Sequence, residues 1–238
     1  MSPQRVAAVL GVGPGIGTAV ARRFGREGFA VAVMARSAEA LAAARAAAAE
    51  TGGRSVAIQT DARDPASVAT AFEHVRSELG PAEVLIYNAG AFHIAGILDI
   101  APDLFEQSWK ANCFGAFLAA QQVLSDMVQR RRGTIIFTGA TASLRGSANF
   151  ACLAVGKFGL RALAQSMARE FGPQGIHVAH VVIDGPVDTP RVRGLMPNRP
   201  VDTLLAPDEI AETYWQLHIQ PASAWTHECD LRPSVEKF

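Results

Sequence analysis

The stretch Leu10-Gly11-Val12-Gly13-Pro14-Gly15-Ile16-Gly17 decides the fold of this chain. The apolar residues 6–10 before it predict a short buried strand, and residues 18–24 after it predict a helix. A glycine-rich turn at such a junction lets the backbone approach a ligand closely and directs free N–H groups at it, and the positive end of the helix favours a pyrophosphate. A purely structural turn is the alternative, but the strand before and the helix after favour a nucleotide-binding loop.

The composition indicates a globular protein without a strong charge preference. Hydrophobic residues make up 49% of the 238 residues and charged residues 18%, which indicates a large core and excludes a disordered chain. This length suits one α/β domain, so we expect residues 1–238 to form a single dinucleotide-binding domain. The 22 basic and 22 acidic residues balance to a net charge of +0, so the charge favours neither nucleic acid nor a membrane surface as a partner.

The sequence shows no signal peptide and no apolar run near the roughly 18 residues that a bilayer span requires. Its cysteines, Cys113, Cys152 and Cys229, are odd in number and far apart. That pattern favours reduced thiols over a disulfide framework or a zinc site. We therefore expect a soluble, cytoplasmic protein without a metal centre.

Strands and helices alternate along the rest of the chain. Further strands are predicted at residues 29–34, 55–60, 83–87, 133–139, 176–183 and 225–231, with helices at 37–50, 103–132, 151–171 and 208–219 and another that begins at 64–65. This spacing requires right-handed crossovers and a parallel sheet, so the carboxyl ends of the strands meet at one edge, where ligands bind. The Pro- and Arg-rich residues 190–207 are predicted to form a mobile lid over that edge.

The residues at the ends of the second and third strands predict which cofactor is bound. An acidic residue about 20 residues beyond the glycines would bind the ribose 2′-hydroxyl of NAD, but the chain has Ala35 and Arg36 there. We predict that Arg36 pairs with the 2′-phosphate of NADP, so that NADP(H) is favoured over NAD(H); a solvated arginine is the alternative. Asp61 is predicted either to accept a hydrogen bond from the adenine amino group or to be an ordinary turn residue.

Other residues carry weaker signals. Asparagine is a poor residue for a helix interior, so Asn112 predicts a kink or a buried polar role in the helix at 103–132. His93, alone in an irregular apolar stretch, favours a packing or surface role. The three arginines at 130–132 are predicted to complement a helix dipole rather than to bind nucleic acid. Apolar residues near the predicted site favour an apolar substrate, although such residues are more often core: Phe92, Ile94, Leu144, Phe150 and Leu153.

These motifs together resemble the short-chain dehydrogenase/reductase family over nearly the whole chain. The resemblance implies a Rossmann-type, doubly wound parallel sheet of about seven strands with helices on both faces, in a homodimer or homotetramer. It assigns Asn112 and Lys157 to catalysis. Together with Arg36, the predicted cofactor-binding residues are Gly11, Gly13, Gly15, Ile16, Gly17, Asp61, Ala62, Asn88, Ala89, Gly90, Lys157, Val187 and Thr189. Leu10 stands where the family has a threonine, and Asp184 where it has a proline.

The family's proton donor and its serine partner are absent. The resemblance implies a tyrosine four residues before Lys157 and a serine thirteen residues before that tyrosine, but the chain has Leu153 and Ala140 there. A shift of one residue does not restore the pattern, because the only tyrosines are Tyr87 and Tyr214. General acid catalysis typically contributes about 10²–10⁴-fold in rate, so the missing phenol is the main departure.

We therefore expect an NADP-dependent oxidoreductase that acts on the carbonyl or alcohol group of a small, apolar molecule through an atypical site. The proton donor is then one of Lys157, Ser143, Ser147, His93 or a water molecule. The alternatives are an NADP(H)-binding sensor or scaffold, a non-redox enzyme on the same fold, and a subunit that supports an active relative.

Overall fold

The strands form one parallel sheet. The computed structural model describes residues 4–50 and 52–236. In this part of the chain the strands are β1 (Val6–Leu10), β2 (Ala30–Ala35), β3 (Ser55–Gln59), β4 (Val84–Tyr87), β5 (Gly133–Thr138), β6 (Ile176–Ile183) and β7 (Glu228–Leu231), in the spatial order β3-β2-β1-β4-β5-β6-β7. Every neighbouring pair is parallel. The predicted doubly wound sheet is therefore confirmed, and its strand order reverses between β1 and β4.

Helices cover both faces of this sheet. In the described residues they are α1 (Ile16–Arg26), α2 (Ala38–Ala49), α3 (Pro65–Glu78), α4 (Pro102–Trp109), α5 (Gly115–Arg130), α6 (Ala151–Phe171), α7 (Pro190–Leu195) and α8 (Pro207–Ile219). One hydrophobic core joins α3, α5 and α6 to the sheet, and a second core joins α1, α2 and α8 to the opposite face. Alternate residues of β1 enter the two cores, Val6 and Ala8 the first and Ala7 and Val9 the second.

The central strands are apolar without alternation because neither face of the sheet meets water. Every residue of β1, β2, β4, β5 and β6 is buried, whereas the edge strands β3 and β7 are partly exposed. Continuous apolar runs of this kind are typical of parallel sheets with helices on both sides. The predicted limits of the sixth strand, 176–183, and of the helix at 151–171 agree with β6 and α6.

The helix predicted at 103–132 is interrupted by a π-helical turn. The structure divides it into α4, the turn Lys110–Phe114, and α5. Asn112 lies in this turn with 0% of its surface exposed, and its Nδ2 donates to the carbonyl oxygens of Ser108 at 3.0 Å and Ala91 at 2.9 Å. Such turns occur frequently at functional sites. The sequence predicted either a helix kink or a buried polar role at Asn112, and the structure shows both an interruption of the helix and a buried, hydrogen-bonded side chain there.

The three arginines at 130–132 contact the body of the protein. Arg130 donates to the carbonyl oxygen of Ala82 at 2.8 Å, and Arg131, with a φ of 50°, ends α5 in the left-handed conformation. Arg132 forms an ion pair of 2.9 Å with Glu83, at the amino end of β4. The contacts of Arg130 and Arg132 join the end of α5 to the amino end of β4, and the interaction of the arginines with the helix dipole stays a prediction.

Residues 190–207, the predicted lid, contain α7 and a 3₁₀ turn at Val201–Thr203. The Thr189 hydroxyl oxygen accepts a hydrogen bond of 3.2 Å from the Val192 N–H and caps α7. Val187 forms a bridge with Leu205, which joins the two ends of this segment. Its movement as a lid stays a prediction.

Within residues 4–50 and 52–236, none of the helices is both long and apolar enough to cross a membrane. The same residues contain no group of three or more His, Cys, Asp or Glu side chains that could hold a metal ion. Cys113, Cys152 and Cys229 are free thiols.

Candidate functional site

The glycine-rich loop after β1 passes directly beside the end of β4. Gly11 has a φ of +105°, and a Cβ atom placed on it would lie 2.1 Å from the amide nitrogen of Ala89. A Cβ on Gly17 would lie 2.7 Å from the Gly11 carbonyl oxygen, so neither position accepts a larger residue. The Asn88 side chain donates to that same oxygen at 2.7 Å. The ends of β1 and β4 are therefore held together where the strand order reverses.

Helix α1 begins with an N-terminus that can bind an anion. Gly15 at its N-cap provides no side-chain hydrogen bond, and the first turn contains no acidic residue. A Cβ on Gly13 would meet nothing within 4 Å, so the loop faces open space there. This space is a cavity of about 270 Å³ lined by Gly11, Gly13, Pro14, Gly15, Ile16, Gly17, Asn88, Val187, Thr189 and Arg191. Free N–H groups and the helix dipole make such a site suitable for a phosphate group.

A second cavity of about 270 Å³ adjoins the first and contains Arg36. It is lined by Leu10, Gly11, Val12, Ala35, Arg36, Ser37, Thr60, Asp61, Ala62, Arg63, Asn88, Ala89, Gly90 and Ala111. The two cavities share Gly11 and Asn88 in their walls, so they lie side by side, and together they are called the groove below. Within the described chain, the Arg36 guanidinium has no ion-pair or hydrogen-bond partner, and it is exposed. The structure thus places Arg36 and the predicted adenosine-binding residues around one space.

Asp61 is engaged by Arg63. Its carboxylate accepts hydrogen bonds from the Arg63 backbone N–H at 3.0 Å and from the guanidinium at 2.6 to 3.2 Å. The hydrogen bond from Arg63 holds the pKa of Asp61 below its usual range, and the nearby charge of Arg36 acts in the same direction. The ordinary turn role of Asp61 is therefore present in the structure, and its contact with adenine stays a prediction.

Lys157 is buried beside Asn112, on the helix that crosses the π-helical turn. Its Nζ donates to the Thr138 carbonyl oxygen at 2.7 Å, and a Cβ on Gly90 would lie 3.8 Å from that Nζ and 2.9 Å from Asn112 Oδ1. Burial lowers the pKa of Lys157 to about 8, because desolvation disfavours the charged form. A Cβ on Gly156 would lie 2.5 Å from Asn112 Cβ, so α6 packs closely against the turn.

The third and largest cavity, of about 810 Å³, contains the positions of the missing tyrosine and serine. Leu153 and Ala140 both line it, together with Ile16, Phe92, Ile94, Thr138, Gly139, Thr141, Ala142, Arg145, Ser147, Phe150, Ile183, Gly185, Pro186, Arg191, Val192, Leu195 and Met196. It shares Ile16 and Arg191 with the cavity at the start of α1. Sequence reasoning selected neither Arg145, in the loop after β5, nor Arg191, in α7, since single arginines have no spacing signal.

The predicted alternative proton donors lie in different places. Ser143 is completely buried, and its Oγ accepts a hydrogen bond of 3.1 Å from the Ala140 N–H. His93 lines a separate cavity with Arg36, and Ser147 lines the large one. Of these three residues, only Ser147 has access to the space beside Leu153.

Asp184 has a structural role that the family's proline could not have. Its N–H donates to the Leu231 carbonyl oxygen at 2.8 Å and extends the pairing of β6 with β7, whereas proline lacks this donor. Its carboxylate accepts a hydrogen bond from the Thr141 hydroxyl and forms an ion pair of 3.3 Å with Arg232. The aspartate therefore fixes the loop after β5 against the end of the sheet.

Sequence reasoning missed a buried ionic cluster on β6 and β7. His180 is fully buried, and its Nδ1 lies 3.2 Å from a carboxylate oxygen of Glu228. Glu228 in turn accepts two hydrogen bonds of 2.6 Å from Arg161. Burial lowers the pKa of His180 to about 4, so the ring is neutral at pH 7. A histidine within the apolar residues 176–183 was the signal that could have indicated it.

The comparisons with known proteins agree with this geometry. A family model described as short chain dehydrogenase matches residues 5–200. A solved short-chain dehydrogenase from Rhodopseudomonas palustris is 40% identical, with a TM-score of 0.83 over 96% of this chain and 98% of its own. An alcohol dehydrogenase from the archaeon Thermococcus sibiricus, solved with 5-hydroxy-NADP, is 25% identical, with a TM-score of 0.88 over 98% of both chains. The 3-oxoacyl-[acyl-carrier-protein] reductase of Mycobacterium avium is 33% identical over 187 residues, which are 79% of this chain and 69% of that protein.

We predict that Lys157→Met weakens NADPH binding about tenfold or more. The ammonium lies near Gly90 and Asn112, at the end of β4, and a hydrogen bond from a charged donor contributes about 1.5–3 kcal/mol. Methionine has a similar length and leaves no charge buried, so the fold is preserved. Isothermal titration calorimetry gives the affinity, and the melting temperature checks folding.

Lys110→Met is the matched control, because Lys110 is partly exposed and pairs with Glu106 on the same helix face. It should leave NADPH affinity unchanged. Equal affinities for NADPH in the native protein and in Lys157→Met would mean that Lys157 does not contact the cofactor and serves only to hydrogen-bond the Thr138 carbonyl.

Proposed function

The chain belongs to the short-chain dehydrogenase family, and on that basis we propose that it is an NADP-dependent oxidoreductase acting on the carbonyl or alcohol group of a small, apolar molecule. The observation that carries the proposal is the row of three adjacent cavities along the carboxyl edge of the sheet, each of which shares wall residues with the next. Arg36 and Asp61 would hold the adenosine end, the start of α1 the pyrophosphate, and Val187, Thr189 and Lys157 the nicotinamide end. The nicotinamide, when bound, supplies or accepts the hydride.

The charge around Arg36 supports a preference for binding NADP(H) rather than NAD(H). The carboxylate of Asp61 is the only acid that lines this cavity among the described residues, and Arg63 already neutralises it. The exposed Arg36 guanidinium therefore leaves a net positive charge where a 2′-phosphate would bind. A planar guanidinium with free N–H groups is well suited to a phosphate.

We propose Lys157 as the proton donor that replaces the missing tyrosine. A general acid works best when its pKa lies near the working pH, and burial brings the pKa of Lys157 to about 8. Ser143 is enclosed, His93 lies in another cavity, and Ser147 has no activating base in its cavity. Lys157 does not itself line the large cavity, so its proton reaches a substrate oxygen through a water molecule or after the ammonium releases the Thr138 carbonyl.

A second function, NADP(H) binding without turnover, is favoured by one specific observation. Both Leu153 and Ala140 face the large cavity, so the two hydrogen-bond donors of the family's site are replaced by apolar surface. A sensor or scaffold needs the groove for the cofactor but not the acid. Turnover of a carbonyl substrate with NADPH distinguishes the two functions.

A second copy of the chain is the partner that we propose for an exposed apolar strip on the helices around the π-helical turn. The Trp109, Phe114 and Phe117 rings stack along this strip, at centroid distances of 5.5 Å and 6.2 Å. Trp109 and Phe117 are 37% and 40% exposed, and Phe158 on α6 is 43% exposed. Exposed apolar surface of this kind is typical of protein contacts, and a homodimer or homotetramer would cover it.

We predict that Arg36→Ala weakens NADPH binding by about tenfold or more and leaves NADH binding nearly unchanged, because only NADPH carries the phosphate. Calorimetric titration of both cofactors measures this difference. Arg45→Ala is the matched control, since Arg45 is an exposed arginine on the neighbouring helix α2 whose side chain has no partner among the described residues. Equal affinities for NADPH and NADH in the native protein would exclude the proposed preference.

We predict that the rate of NADPH-dependent reduction falls as the pH rises through about 8. Reduction requires a protonated donor, and the pKa of Lys157 is about 8, so deprotonation removes the donor, whereas alcohol oxidation should rise over the same range. The measurement is kcat/KM against pH with the best substrate of a carbonyl panel. In Lys157→Arg the cation stays protonated, so the decline near pH 8 should disappear. A native rate that is constant from pH 7 to 9 would assign the proton to another group.

We predict that Leu153→Tyr combined with Ala140→Ser gains or raises NADPH-dependent reduction of an activated ketone or aldehyde. The phenol would lie one helical turn from Lys157, whose charge lowers its pKa, and the serine would add a second donor to the developing oxyanion. Each single variant should gain much less, because the two groups act together. NADPH consumption is compared in the native protein and the three variants, with cofactor affinity as a control for overpacking by tyrosine.

If the native protein reduces the same ketones faster than the double variant, its own donor is already effective and the proposed geometry at Leu153 is wrong. If neither protein consumes NADPH although both bind it, the second function is supported.

A further inference from the structure

The wall of the large cavity carries positive charge although the chain as a whole has none. Among the described residues that line it, the only charged side chains are Arg145 and Arg191, and none is acidic. The complete sequence balances 22 basic against 22 acidic residues. Two cations on a wall without an acid create a local field that attracts a negatively charged group.

Neither of these arginines has a partner. In the described residues, the side chains of Arg145 and Arg191 form no ion pair or hydrogen bond, whereas their neighbours do. Arg193 binds Asp188 through two hydrogen bonds of 2.5 Å and 2.7 Å, and Arg199 pairs with Glu236 at 3.2 Å. In the described residues, Asp188 and Glu236 are therefore engaged by other arginines, whereas the two guanidinium groups at the cavity keep their donors free.

The rest of the wall is mostly apolar and partly open to water. Four of its large apolar side chains are substantially exposed, Phe92 by 46%, Ile94 by 60%, Leu195 by 69% and Met196 by 45%. They come from two separate parts of the chain, the segment after β4 and the end of α7. Covering this surface with an apolar ligand would remove it from water, which is favourable in proportion to the area. The cavity of about 810 Å³ is within the range of small-molecule sites.

We propose that the cavity binds an amphipathic anion, whose apolar chain or ring system lies on the apolar wall and whose carboxylate or phosphate is held by Arg145, with Arg191 beside it. Arg145 is the discriminating residue, because among the three cavities described above it lines this one alone, whereas Arg191 also lines the cavity at the start of α1 and borders the site for the pyrophosphate. The inference deepens the proposed oxidoreductase function by naming the substrate class, but the binding that it requires does not depend on turnover.

The test uses three ligands that share a ten-carbon chain: decanoate, decyl phosphate and 1-decanol. Isothermal titration calorimetry with and without saturating NADP⁺ measures their affinities. We expect at least one of the anions to bind about tenfold or more tightly than the alcohol, because a charge-assisted hydrogen bond to a guanidinium is added to the same apolar contact. The two anions distinguish a carboxylate from a phosphate ester as the preferred head group.

Arg145→Gln should reduce the affinity for the preferred anion to about that for 1-decanol, and leave the affinity for 1-decanol unchanged. Arg45→Gln removes the same charge from an exposed arginine on α2 and should change neither affinity. Melting temperatures within the error of the native protein show that both variants fold.

Three results would overturn the inference: similar affinities for the anions and the alcohol, no effect of Arg145→Gln on anion binding, or an equal loss for anions and alcohol. The proposed oxidoreductase function is tested by a different measurement, the NADPH-dependent reduction of carbonyl compounds. If no carbonyl compound is reduced with NADPH but anion selectivity depends on Arg145, the cavity binds amphipathic anions without that chemistry. If neutral ketones are reduced but the anions have no advantage, the substrate class alone is wrong.

Discussion

The contact between the ends of β1 and β4 is the constraint on which the site depends. Gly11 comes so close to Ala89 that a Cβ would lie 2.1 Å from its amide nitrogen, and Asn88 closes the junction with a hydrogen bond to the Gly11 carbonyl. The two strands carry their connections in opposite directions from this point, so the helices diverge and a crevice opens at the carboxyl edge. The groove for an extended cofactor exists because these two backbones meet without side chains between them.

A second constraint keeps an ammonium group inside this crevice. Burying Lys157 is unfavourable, and its pKa falls to about 8. The π-helical turn directs Asn112 inward, and Gly156 lets α6 approach that turn closely. The carbonyl of Thr138 then satisfies one donor of the ammonium. Because a lysine with a pKa near neutrality exchanges protons readily, the same burial that opposes stability makes the group useful for proton transfer.

The sequence predicted those features that local patterns determine. Apolar runs and helix caps located the strands and helices, and the glycines with Arg36 located the groove, because each depends on residues close together in the chain. The helix interruption was only indicated, since Asn112 disfavours a helix interior without specifying a π-helical turn. The cluster that joins Arg161 to Glu228 spans 67 residues, and the free arginines of the large cavity come from the loop after β5 and from α7. Such pairings follow from the tertiary fold, and no local period encodes them.

The replacement of two hydrogen-bond donors by Leu153 and Ala140 changes where the cavity can hold a ligand. The family's pattern places polar groups at the reacting carbonyl, whereas here that part of the wall is apolar and the free donors include Arg145 and Arg191. Binding energy from a remote charged group fixes a ligand in place, but it accelerates a reaction only if it is stronger in the transition state. We therefore expect this arrangement to favour tight and selective binding over a high turnover number. A slow enzyme and a sensor of the same ligand would have the same cavity wall. The difference between them is whether Lys157 delivers a proton to the bound ligand.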